Sequence, residues 1–184
     1  EVEWLTRGVA RYFPEAHERF LAVLPPADRD GPLAAAYARL LASPDPQVRT
    51  DAAAAWCAWE EAIVALADDT PPDPRYGDPA FRYRFARTVT HYFSHAGFQP
   101  DDAILGELHR LAGIPGVLVQ GRLDLSGSVA LAQSVARRWP GAELHVVSGV
   151  GHAGSAAMNA VAVAATDRFA APFIDPRLAT GPRR

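Results

Sequence analysis

No lysine occurs among the 184 residues, and all 18 basic side chains are arginine. That absence excludes a Schiff-base lysine and the lysine of a phosphate-binding loop. Cysteine occurs once, at Cys57, so the chain can form no disulfide within itself and its redox compartment is undiagnosed. Cys57 sits mid-helix among tryptophans, which favours buried packing over a catalytic thiol. No apolar run approaches the roughly 18 residues of a membrane span, and the N-terminus lacks the charged and apolar regions of a signal peptide. Glu1-Val2-Glu3-Trp4 resembles neither a natural start nor a processed one, so the reading expects a chain cut from a longer protein. Excess positive charge is missing too: a net charge of −3 and a pI near 6.1 give no electrostatic case for nucleic acid. Finally, there are serines at 43, 94, 126, 128, 134, 148 and 155, and none stands in a G-x-S-x-G elbow.

What is present begins with helices. Over residues 1–100 the apolar spacing predicts only helical elements. Pro14 opens one, with Phe20, Leu21 and Leu24 on its apolar side. Another follows Gly31, carrying Leu33, Tyr37, Leu40 and Leu41. Asp45-Pro46 is a cap followed by a first helical residue, and it starts the longest stripe: Val48, Ala52, Ala55, Trp56, Trp59, Ile63 and Leu66. A linker rich in Pro and Asp spans 68–77. Asp78-Pro79 repeats the start signal, and Phe81, Phe85, Val89 and Phe93 then fall at steps of four, a ridge on one helix face. His91 and His95 share that helix at metal-pair spacing, with no Glu beside the first and no clear third ligand. Core packing explains the ridge better than base stacking does, given the acidic charge.

From residue 101 the pattern alternates. Asp102 to Leu111 reads as a short helix. Ile114 to Gln120 is an apolar run ending at Gly121-Arg122-Leu123-Asp124. A helix capped by Ser128 follows, with Leu131, Val135 and Trp139 inward. Glu143 to Ser148 is a second run, ending at Gly149-Val150-Gly151-His152, and a last helix covers 156–169. Strands alternating with helices predict a parallel sheet, and two strands are too few to bury one. In such sheets chemistry sits beyond the carboxyl ends of the strands. Asp124 taken alone fits a helix cap, and His152 alone fits a loop histidine bonded to a carbonyl. Together, 28 residues apart with one helix between, they follow the acid-then-histidine order of a Ser-His-Asp hydrolase of the α/β-hydrolase fold. Ser155 lies too close along the chain to complete that geometry, and a capping role is expected for it.

Several motifs, in order, resemble the proline iminopeptidases (prolyl aminopeptidases), serine hydrolases of the α/β-hydrolase fold. They are Arg11-Tyr12-Phe13-Pro14, Trp56-Cys57-Ala58-Trp59-Glu60, His91-Tyr92-Phe93, Gln120-Gly121-Arg122-Leu123-Asp124, Gly151-His152 and Ala165-Thr166-Asp167-Arg168-Phe169. The resemblance implies a helical cap over 1–100, the last part of the hydrolase domain over 101–171 and a loose tail over 172–184. It implies that Asp124 is the triad acid and His152 the general base, with the serine upstream of Glu1. It places Glu60 at the substrate's free amine, and Trp56, Tyr92 and Phe93 on the substrate side. It implies a small peptide or amide substrate, no metal or cofactor, no membrane or nucleic-acid partner, and a cytoplasmic enzyme. The oligomeric state is left open. Two departures stand out. A second family carboxylate falls at Val89, and the family's Cys-Pro after the acid is Gly127-Ser128.

Three readings remain. The first is a proline iminopeptidase. The second, favoured by Val89, is a related hydrolase of esters or amides without a free amine. The third, favoured by the absent elbow, is an inactive chain or a partner-binding module.

Overall fold

The two longest helices of the first half begin at a proline with an aspartate ahead of it. A computed structural model describes residues 2–64 and 72–173. In it, α1 covers Val2–Thr6 and α2 covers Pro14–Ala22; α3 runs over Leu33–Leu41, α4 over Pro46–Val64 and α5 over Pro79–Ser94. The Asp45 carboxylate accepts from Gln47 N at 2.8 Å and that of Asp78 from Ala80 N at 2.9 Å, so both cap signals act as their spacing predicts. Leu66 lies outside the described residues, as do the linker up to residue 71 and the tail from residue 174.

α4 is the axis of the helical core. Ala52, Ala53, Trp56, Cys57, Trp59 and Ile63 are all buried along it, more of its circumference than a single stripe. The Phe20 ring of α2 stacks on Tyr37 of α3 at 4.5 Å and on Trp59 at 5.3 Å, with Trp56 tilted against it at 5.6 Å. The polar tips are satisfied: Tyr37 donates to Phe20 O at 2.6 Å and Trp59 Nε1 donates to Leu5 O at 3.0 Å. The second of these bonds explains α1, which the sequence did not announce. Five residues cannot nucleate a helix by themselves; tertiary contacts hold it, with Thr6 and, just beyond, Val9 buried.

On α5 the predicted aromatic ridge is only half-buried, and the fully buried residues are Ala86 and Thr90. Small side chains let α5 approach α3 and α4 closely, while the larger ones flank that seam. Residues 102–111 correct another expectation. They form turns and a short 3-10 segment, Leu108–Leu111. Only Leu108 is buried there, so no continuous apolar face repays an α-helix.

Strands β1 (Gly116–Gly121) and β2 (Ala142–Val147) pair in parallel, in register from Gly116↔Ala142 to Gly121↔Val147. Between them runs α6 (Val129–Arg138), and α7 (Ala156–Ala170) follows β2. Ser128 caps α6 through Leu131 N, and Ser155 caps α7 through Met158 N, both at 3.2 Å, so Ser155 has the capping role expected of it. Trp139, at the end of α6, covers the Gly116 face, where a β-carbon would come within 2.8 Å of its ring. α7 lies over Val117, Glu143 and His145 on the other face. Helices on both faces of parallel strands are the α/β arrangement that the alternation predicts.

The two halves meet at the loop after β1. Leu125 packs against the helical core, and Trp4 Nε1 donates to Leu125 O at 2.7 Å.

Candidate active site

The two strands deliver their loops to one edge, and Gly121 lets those loops touch. A β-carbon there would strike Val150 O and lie 2.8 Å from Gly151 O, so any larger residue would force the loops apart. Backbone bonds continue past the ladder: Arg122 N donates to Val147 O and Leu123 N to Val150 O, both at 2.9 Å. The next residue in one loop is Asp124, and close by in the other is His152.

His152 Nδ1 donates to Asp124 Oδ2 at 3.1 Å. A carboxylate can only accept, so the ring proton of the neutral imidazole sits on Nδ1 and Nε2 carries the free lone pair. Asp124 Oδ1 accepts from Ser126 N at 2.8 Å and Gly127 N at 3.0 Å. The Asp124 side chain is 13% exposed and that of His152 is 55% exposed. The acid is therefore sheltered and the imidazole faces outward. Burial alone would raise the Asp124 carboxyl. The hydrogen bonds from His152 and from the Gly127 and Ser126 amides, with the attraction of His152, outweigh it and hold the group below its ordinary value. The His152 imidazole is shifted upward, first by its bond to Asp124, against desolvation, and with help from the charges of Asp124 and Glu60.

Glu60 reaches the same place from the helical half. Its Oε1 accepts from Trp56 Nε1 at 3.1 Å. Burial raises the Glu60 carboxyl, while the Trp56 bond and the nearby His152 oppose that rise. A carboxylate so desolvated, with one neutral donor, is suited to receive a cation.

Trp56 itself is placed differently from the expectation. Its ring is 1% exposed, wedged between Phe20, Tyr37 and Phe93, and only its N–H points toward the site. The ring is core packing, and its N–H is spent on Glu60. Tyr92 and Phe93 line an apolar cleft of about 740 Å³ with Leu5, Ile104, Leu131 and Val135. Phe93 also meets the Trp56 ring at 6.3 Å, edge to face, so it adjoins the tryptophan that holds Glu60. His95 stacks on Phe98 at 4.8 Å and its Nδ1 is 2.8 Å from His91 O. Among the described residues no third His, Cys, Asp or Glu joins His91 and His95.

Sequence reasoning passed over two residues of the site: Gln120, whose Nε2 lies 3.2 Å from Asp124 Oδ2, and Trp4, which grips the same loop. Gln120 stands at the head of the Gly121-Arg122-Leu123-Asp124 motif with no role assigned to it, and the signal for Trp4 is only an aromatic near the chain start.

This geometry defines the class: an α/β protein whose adjacent parallel strands end in an acid–imidazole pair. No family model matches the chain. It is, however, 47% identical over 176 residues to a probable proline iminopeptidase of Streptomyces coelicolor, covering 92% of this chain and 53% of that protein. It is 38% identical over 172 residues to the proline iminopeptidase of Xylella fastidiosa and 39% identical over 173 residues to that of Xanthomonas citri, covering 92% of this chain and 55% of either relative. Over 92% of its length the chain is similar to these curated proline iminopeptidases, and it spans about half the length of the relatives it matches.

Proposed function

We propose that these residues form the cap and the acid–base end of a serine hydrolase of the α/β-hydrolase fold, one that releases N-terminal proline from peptides. The observation that carries the proposal is the 3.1 Å bond from His152 Nδ1 to Asp124 Oδ2 at the ends of adjacent parallel strands. In this mechanism His152 Nε2 takes the proton of a serine supplied by sequence outside the 184 residues. It then returns that proton to the leaving amine, while Asp124 holds the tautomer and stabilises the imidazolium. Glu60 pairs with the ammonium of the substrate's first residue. Residues 1–100 act as the cap and 101–171 as part of the hydrolase domain. The names of the relatives support the substrate class.

A protein that joins these residues to a strand–G-x-S-x-G–helix unit is expected to hydrolyse proline arylamides, and the 184-residue chain by itself is expected not to. Turnover by the short chain that His152→Ala abolishes would sink the assignment of the serine. Val89 favours the second reading, a hydrolase of esters or amides without a free amine. It is half-buried against the helical core, so a carboxylate there would pay part of its gain in desolvation. Val89→Glu in the serine-bearing protein is therefore expected to raise kcat/KM on proline arylamides about tenfold, less than a fully favourable charge pair would give. No gain, together with preference for N-acylated substrates, would establish the second reading.

A further inference from the structure

Gln120 is the next-to-last residue of β1, opposite Val146, and the proton transfers above do not use it. Its Nε2 lies 2.6 Å from Gly127 O, 3.2 Å from Asp124 Oδ2 and 3.3 Å from Gly121 O. All three atoms are acceptors only, so the nitrogen of the amide faces them and not its oxygen. Two protons serve three acceptors. The shortest contact takes one, and the other is shared between the Asp124 carboxylate and Gly121 O.

The consequence is a closed ring. Gly127 donates its N–H to Asp124 Oδ1 and offers its carbonyl to Gln120, and Gln120 donates to Asp124 Oδ2. A carboxylate accepts about four hydrogen bonds in or near its plane. Ser126 N, Gly127 N and Gln120 Nε2 take three of them, and the fourth faces His152 Nδ1. The carboxylate cannot rotate without breaking one of these bonds. An amide is also the right kind of donor for this place. An arginine would neutralise Asp124 and drain its hold on the imidazole, whereas a neutral amide orients the acid and leaves its charge intact.

We propose that Gln120 is a positioning residue for the acid–base pair, clasping the 124–127 loop so that Oδ2 stays aimed at His152. The proposal rests on the reading of Asp124 and His152 as hydrolase acid and base.

Its test is the proton titration of the His152 ring, followed by NMR in the 184-residue chain, in Gln120→Met and in Asp124→Asn. Gln120→Met keeps the length of the side chain without its donor. The His152 midpoint is expected to fall in Gln120→Met, in the same direction as in Asp124→Asn and by less. In the serine-bearing protein, kcat is expected to fall about tenfold with KM unmoved, the pattern of an interaction needed at the transition state. Should Gln120→Met fail to fold, Gln120→Asn, one methylene too short to bridge to Gly127 O, is expected to lower the midpoint in the same way. A midpoint that stays in place or rises in the Gln120 variant, while Asp124→Asn lowers it, overturns the role of Gln120 alone. If Asp124→Asn also leaves it in place, the acid–base reading itself is lost.

Discussion

Asp124→Asn is expected to lower kcat by about 10⁴ in a protein that joins these residues to a serine elbow, the loss seen when a triad imidazole is held in the wrong tautomer. The local hydrogen bonds dictate that tautomer. Ser126 N and Gly127 N both point at the Oδ1 position, so an asparagine must place its carbonyl oxygen there. Its NH₂ group then faces His152 Nδ1, which must become the acceptor. The ring proton moves to Nε2, and the nitrogen that should take the serine proton is blocked. The same substitution removes the largest cause of the raised His152 value, so the imidazole titrates lower in the variant. A loss of kcat below tenfold would contradict the assignment.

The pH dependence follows with its sign. His152 must be neutral to act as base, and its proton affinity is raised, so activity is expected to climb through a midpoint above the ordinary histidine value. Linkage to folding runs in the matching direction. The stability contributed by the raised His152 is fully present below its unfolded value and fades as pH rises through its folded one. That contributed by the lowered Asp124 is present above its unfolded value and is lost as pH falls through its folded one. The pair therefore stabilises most between the two titrations, which chemical denaturation across pH will show.

Trp56→Ala carries the other large expected effect, a loss of about 3–5 kcal/mol of folding stability. The ring is fully buried at the junction of α2, α3, α4 and α5. Its removal leaves a cavity among rings that cannot all collapse into it. A domain the size of the helical half holds roughly 5–15 kcal/mol, so the variant sits near the limit of folding. Trp56→Phe separates packing from polarity. Most of the apolar area stays, but Glu60 loses its one neutral donor, at a cost of about 1–3 kcal/mol. Glu60 should then bind its proton more tightly still, because the bond that now lowers its value is gone. Urea unfolding of the 184-residue chain reads both costs. A Trp56→Ala loss under about 1 kcal/mol would show that the ring does not hold the four helices together.

Local signals made much of this protein legible. Asp45-Pro46 and Asp78-Pro79 start their helices because a capping carboxylate and a proline act over two or three residues. The strands at 116–121 and 142–147 and the order of acid then histidine follow from alternation and short motifs, so the sequence alone pairs Asp124 with His152. The helix expected over 102–111 did not form, because periodicity cannot tell whether a partner face exists to bury it.

Tertiary structure alone decided three things. It placed Trp56 in the core and not on a pocket wall, because which side of α4 is covered depends on α2, α3 and α5 arriving together. It set Tyr92 and Phe93 on an apolar cleft that they share with Leu131 and Val135 of α6, residues about 40 positions further along the chain. And it closed the ring of Gln120, Gly127 and Asp124, whose members lie four and seven residues from Gln120 along the chain but meet only through the turn after β1. Composition and spacing act along the chain and name the residues able to do chemistry. Distance and burial act across it, and they set which oxygen faces which nitrogen.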